Sequence, residues 1–337
     1  MKLKVATYNR IFSSQLRLFL SICYGFLLIS LPSEFFRDRG WYLIYALDNI
    51  NLLNRYDSIS IFFNEPLFLY INYLLSFVFT PEGTVKFIVF FISVTLFYYL
   101  LKYSKNFFLF FWGFVALLLV SYTFHLQLVV LRQGLATALL LIFTVHFFYK
   151  RYYLLLVLFL GFIHTSFFII FYIFVADRLL NLFIKNTNYR MFFLLTFIFV
   201  SSFFIIQVAE ALGVRQATES HLLNNSNGGG GFLLFSFLMF FLLARNLDKM
   251  VADPFGYIAL IGLVVYLGFY FTLPISGRII GSFLPFLYIY FVSNFYPKVF
   301  YPILVFIFVN VLIFYNSIVN GSLTLEGVDY LNNLLGI

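Results

Sequence analysis

The sequence predicts an all-α, polytopic integral membrane protein, and three observations carry that prediction. Of 337 residues, 63% are hydrophobic and only 10% charged, with a mean hydropathy of +0.99. Long apolar runs recur along the whole chain, as membrane-crossing helices require and alternating strands do not. Lysine and arginine fall mostly between those runs, so the formal charge of +8 reports membrane orientation and gives no signal for nucleic acid. The expected architecture is a single domain over residues 1–337, with about nine to eleven transmembrane helices and one or two re-entrant or broken segments. The lone cysteine, Cys23, excludes an intramolecular disulfide.

Residues 1–17 carry Lys2, Lys4, Arg10 and Arg17 and are expected in the cytoplasm. The run Leu18 to Leu31 lacks a small-residue cleavage site and reads as a signal anchor. Residues 33–64 are polar, with Trp41, Tyr42 and Tyr45 interleaved, and read as an external loop containing a helix on the membrane surface. Glu65-Pro66 then opens Leu67 to Thr80; proline suits a first helical position and glutamate the positive end of the helix dipole. Further apolar segments cover roughly 85–101, 107–124, 126–149, 152–176, 190–209, 231–244, 255–273, 279–295 and 299–316.

Two of these segments decide the topology. Lys102 and Lys105, Lys150 and Arg151, Arg245 and Lys249, and Lys298 all favour the cytoplasm. They agree only if Leu67–Thr80 does not cross, and that run is short for a crossing. Arg178, Lys185 and Arg190 also read as cytoplasmic, so 152–176 is predicted to break near His164-Thr165-Ser166 and return. Residues 210–230 end in a glycine run and read as an external connector.

Arg132 lies well inside the run 126–149, where an arginine costs roughly 2.5–3.5 kcal/mol on insertion scales. Gln133 flanks it, and Gly134 and Ala136 leave room for a large anion. Arg278, followed by Gly281, Ser282 and Pro285, is a second arginine in similar surroundings. Two guanidiniums at one mouth of a bundle suit a diphosphate, because planar forks match phosphate oxygens. His164 lies deep in apolar sequence and is a candidate acid–base or diphosphate group. Asp38 and Glu65 are the carboxylates placed to take a proton from a hydroxyl. Carboxylate and histidine spacings fit no metal site, and no nucleotide-binding fingerprint occurs.

The order of these features resembles the EpsG-like family of exopolysaccharide and O-antigen polymerases, the Wzy class. It is carried by Asp38 and Tyr42 in the early loop, Glu65-Pro66-Leu67-Phe68, Lys102-Tyr103-Ser104-Lys105-Asn106, Arg132-Gln133-Gly134-Leu135-Ala136, Lys150-Arg151-Tyr152, His164-Thr165-Ser166 and Arg278. The resemblance implies a GT-C-like glycosyltransferase that joins undecaprenyl-diphosphate-linked oligosaccharide repeat units on the outer face of the bacterial inner membrane. It also implies a chain-length regulator of the Wzz kind as partner, and no cofactor. In that setting Asp38, Glu65 and His164 are the catalytic candidates. Arg132, Arg278 and Gln133 would bind diphosphate, and Trp41 and Tyr42 would stack on sugars. A transporter or flippase of lipid-linked sugars is the alternative; a membrane acyltransferase built on His164 is a third reading.

Overall fold

The computed structural model describes residues 12–36, 38–54, 60–211, 230–243, 247–273, 276–294 and 297–319. These form seventeen α-helices and one 3-10 turn, Ser33–Phe35, with no strand among the described residues. In chain order the helices are α1 (Ser14–Ile29), α2 (Arg39–Leu47), α3 (Asn49–Asn54), α4 (Ser60–Phe63), α5 (Pro66–Ser76), α6 (Pro81–Tyr103), α7 (Phe107–Leu119), α8 (Ser121–Leu128) and α9 (Leu131–Phe147). Then follow α10 (Tyr153–Leu160), α11 (Ser166–Phe183), α12 (Thr187–Ala211), α13 (Gly230–Leu243), α14 (Leu247–Ala252), α15 (Pro254–Phe269), α16 (Ser276–Ser293) and α17 (Pro297–Val319). Helix α16 is the hub: it packs on α6, α7, α8, α9 and α15, and almost every residue along it is buried.

The protein is an all-α polytopic membrane protein. By length and composition α6, α11, α12 and α16 can each cross a bilayer, and the bent pair α7 and α8 brings the number to five if it forms one span. Six shorter apolar helices accompany them, and a total of nine to eleven requires most of those to cross as well. Helix α5 has eleven residues, about 16 Å at the standard rise, against a hydrocarbon core of about 30 Å, so it does not cross alone. The break foreseen near His164 lies between Leu160 and Ser166, and α10 packs against α11 there. The glycine run before Gly230 lies outside the described residues, as do Lys2, Lys4, Arg10 and Arg245.

Two predicted segments are redrawn. Residues 107–124 are not one rod: the chain turns by 66° at Val120 between α7 and α8. Residues 126–149 do not form one helix either, because α8 ends at Leu128 and α9 starts at Leu131. Each break frees carbonyls that have no water to turn to, so partners must come from the protein. Thr123 Oγ1 donates to Ala116 O (2.9 Å) and Val120 O (3.1 Å), and Gln127 Nε2 to Leu117 O (3.0 Å). At the second break Arg39 Nη2, from α2, donates to Leu128 O at 3.0 Å. An arginine at the start of α2 therefore ends a core helix.

Candidate functional site

Ending α8 early changes the setting of Arg132. It is the second residue of α9, not a mid-helix residue, and Arg278 is the third residue of α16. A cation in a first helical turn meets the positive end of the dipole, an unfavourable placement of about 0.3–1 kcal/mol. Arg132 therefore needs an anion, and Glu65 supplies it.

Glu65 stands just ahead of Pro66 in the left-handed region, at φ 61° and ψ 46°, and is the one non-glycine residue with positive φ among the described residues. Such a conformation costs of order 1–3 kcal/mol and persists only where its surroundings hold it. The holding contacts are visible. Leu67 N donates to Phe162 O at 3.0 Å, tying the start of α5 to the α10–α11 break. The Glu65 carboxylate accepts from Arg132 Nη1 through Oε2 and from His164 Nδ1 (2.6 Å) through Oε1, with Thr165 N at 3.4 Å. Burial alone would raise the Glu65 pKa; the Arg132 charge and the His164 hydrogen bond outweigh it and hold the group well below the usual carboxylate range. An ionised carboxylate only accepts, so His164 donates to it from Nδ1.

Arg132 also interacts electrostatically with Tyr42 and lies 5.2 Å from the Tyr45 ring centroid. Tyr42 is buried, with its ring against Tyr45 and Phe68. It anchors the arginine and offers no open face for a sugar, unlike its exposed neighbour Trp41. Gln133 Nε2 donates to Arg278 O and to Ser282 Oγ (2.8 Å), so this amide clamps α9 to α16. Gly134 makes the clamp possible, because a Cβ there would collide with Leu126 O and lie 2.9 Å from Ile92 Cδ1.

The site residues thus fall into two groups joined by Gln133. Glu65, Arg132, His164 and Tyr42 form a buried cluster. Asp38, Gln133 and Arg278 line a cavity of about 220 Å³ together with Ser121, Tyr122 and His125. That cavity is smaller than the roughly 300–1,000 Å³ of drug-sized sites, so it admits a small polar group and not a whole oligosaccharide. His125 escaped the sequence reading; its signal is the polar interruption Ser121-Tyr122-Thr123-Phe124-His125-Leu126-Gln127 between two apolar runs.

A sequence model of the EpsG family matches residues 18–326. The chain belongs to the EpsG family. This is a Wzy-like family of polysaccharide polymerases, so the protein is a multi-pass membrane protein with a general role in polysaccharide polymerisation. No curated protein and no solved structure matches this EpsG-family chain, and its GT-C likeness stays an expectation from the resemblance.

Proposed function

We propose that this EpsG-family protein joins lipid-diphosphate-linked oligosaccharide repeat units, of the undecaprenyl type, on the outer face of the plasma membrane. The observation that carries the reading is an arginine fixed at the start of α9 by Glu65 and His164 and clamped through Gln133 to the helix that carries Arg278. As the anomeric carbon turns cationic, negative charge builds on the departing diphosphate. Guanidiniums already held in place stabilise that charge without reorganising. Helix N-termini add backbone N–H groups to the same anion-binding end. In this role Glu65 and His164 position Arg132, while Arg278, which is exposed, meets the diphosphate first.

Orientation is supported by charge. The opposite end of the bundle collects Lys102, Lys105, Lys150, Arg151, Arg178, Lys185, Arg190 and Lys249. Contacts join those helix ends: Lys105 N donates to Val292 O, Tyr103 stacks edge-on with Phe255, and Thr187 Oγ1 donates to Asp248. A basic end belongs in the cytoplasm, which turns the Arg132–Arg278 end outward.

The test is a purified protein given lipid-diphosphate-linked repeat units in detergent, with EDTA and without nucleotide or gradient. Longer glycans are the expected product. A folded protein that makes none, or one that moves the lipid between leaflets of a vesicle instead, overturns the polymerase reading in favour of a transporter.

A further inference from the structure

A glycosyl transfer needs a group that takes the proton of the attacking hydroxyl. Glu65 is poorly suited, since both its oxygens already accept hydrogen bonds and its charge is matched by Arg132. The cavity beside Gln133 is lined by Asp38 and His125, and by neither Glu65 nor His164. We infer that His125 is the general base for the acceptor sugar hydroxyl, an inference that rests on the polymerase reading above.

Three observations lead there. His125 Nδ1 lies 2.8 Å from Ser121 O and 3.1 Å from Ser121 Oγ; the carbonyl can only accept, and donation to it from Nδ1 makes Nε2 the basic nitrogen. The 66° turn at Val120, held by Thr123 and Gln127, aims α8 across α7 and brings His125 to the seam of α9 and α16. Arg278, the more accessible arginine, lines the same cavity, so a base and a leaving-group cation face one space.

In the step, the acceptor O–H proton passes to His125 Nε2 and the oxygen lone pair forms the bond to the anomeric carbon. The bond from that carbon to the diphosphate oxygen breaks, and its electron pair leaves on the diphosphate against Arg278 and Arg132. The imidazolium then returns its proton to water. Asp38, from the turn ahead of α2, lines the same cavity and supplies a negative charge for the imidazolium; among the described residues Tyr122 and Arg278 are the other titratable or charged groups of its lining.

The experiment compares pH–rate profiles of the full-length protein on authentic repeat units. His125→Asn places an amide nitrogen where Nδ1 was, keeping the bond to Ser121 but removing the base. It should lower kcat by about 10²–10⁴-fold, leave KM within a few-fold, and abolish the acid limb of the profile. His164→Asn should lower the rate yet keep that limb. A His125→Asn enzyme that keeps both its limb and a rate within about tenfold of wild type overturns the inference. Should that variant not fold, the other profiles decide: a flat wild-type profile from about pH 5 to 8, or a limb lost in His164→Asn, also overturns it. A wild type that makes no polymer defeats the polymerase reading itself, a result distinct from any of these.

Discussion

Two buried carboxylate–arginine pairs sit about one α9 length apart, roughly 25 Å at the standard helical rise. At one end Glu65 bridges Arg132 and His164. At the other, Asp177 Oδ1 lies 3.1 Å from Arg190 Nε, and Asp177 Oδ2 accepts from the Tyr257 hydroxyl at 2.7 Å. The second pair even has the larger cavity beside it, about 350 Å³, with Arg178 and Asn181 in its wall. A buried ion pair with a cavity beside it is therefore common to both ends. What differs is backbone and exposure. Asp177 lies in the regular turns of α11, and its pair is sealed, with side chains 7% and 4% exposed. Glu65 is held in a left-handed conformation, and its arginine keeps 20% of its surface. One pair links α11, α12 and α15; the other holds a cation at a helix start where something else can reach it.

The largest expected effect tests that contrast directly. Arg132→Lys keeps the charge but loses the planar fork, and should cut polymerisation about 10²–10³-fold at normal membrane abundance. Asp177→Asn should instead destabilise by about 3–5 kcal/mol, since it strands Arg190, while each folded molecule works within about threefold of the wild-type rate. Thermal melts beside initial rates separate the two. Equal rate losses in both variants would erase the distinction between the two pairs.

Glu65→Gln comes next, and pH sharpens it. Without a counter-charge Arg132 is left buried and unpaired, at about 3–5 kcal/mol. The Glu65 carboxyl is held below its unfolded value, so its contribution is complete above about pH 4.3 and is lost as pH falls toward the depressed folded value. Melting temperature should therefore decline on the acid side below that point in wild type. In Glu65→Gln that part of the decline should be missing; an unchanged slope means Glu65 is not the group responsible.

Much of this arrangement was legible in the sequence. Glu65-Pro66 marked a helix start, the His164-Thr165-Ser166 step marked a break, and the cost of an arginine in apolar sequence pointed to Arg132. The start of α9 was not legible, because Val129 and Val130 are as apolar as their neighbours and no Gly or Pro falls between Leu126 and Arg132. The break depends on Arg39, 89 residues away in sequence, satisfying Leu128 O. Periodicity cannot see such a contact. Arg178, Lys185 and Arg190 likewise read only as topology signals, and the partnership of Arg190 with Asp177 appears only once α11 and α12 are packed. His125 was hidden for the same reason: its chemistry depends on a bend, not on spacing.

A smaller effect is expected from Gly134→Ala. Its methyl group would press on Leu126 O, a backbone atom that cannot swing aside, and on Ile92. The start of α9 must then shift from α8, at about 1–3 kcal/mol. Because Arg132 and Gln133 ride on that turn, the rate should fall even at temperatures where the variant stays folded. A stability loss with an unchanged rate would show that the clamp between α9 and α16 tolerates movement, and would weaken the case for a preset arginine.

Trp41→Ala should have the smallest effect, and its value lies in separating two kinds of aromatic residue. Helix α2 buries Tyr42, Tyr45 and Ala46 against the bundle and exposes Trp41, Ile44 and Leu47 on the other side. An exposed stripe of that kind, led by tryptophan, suits the boundary between lipid and water. In detergent, which lacks a bilayer's headgroup layer, Trp41→Ala should keep KM for the repeat unit within about twofold. In vesicles the same variant should lose a few-fold more activity, because α2 carries both Arg39, which ends α8, and Tyr42, which holds Arg132. A KM that rises in detergent by tenfold or so, about 1.4 kcal/mol of lost binding, would make Trp41 a sugar-stacking residue instead. Tyr42→Phe provides the inward comparison: it keeps the buried ring and removes only the hydroxyl at Arg132, so its loss should appear in kcat in detergent and vesicles alike.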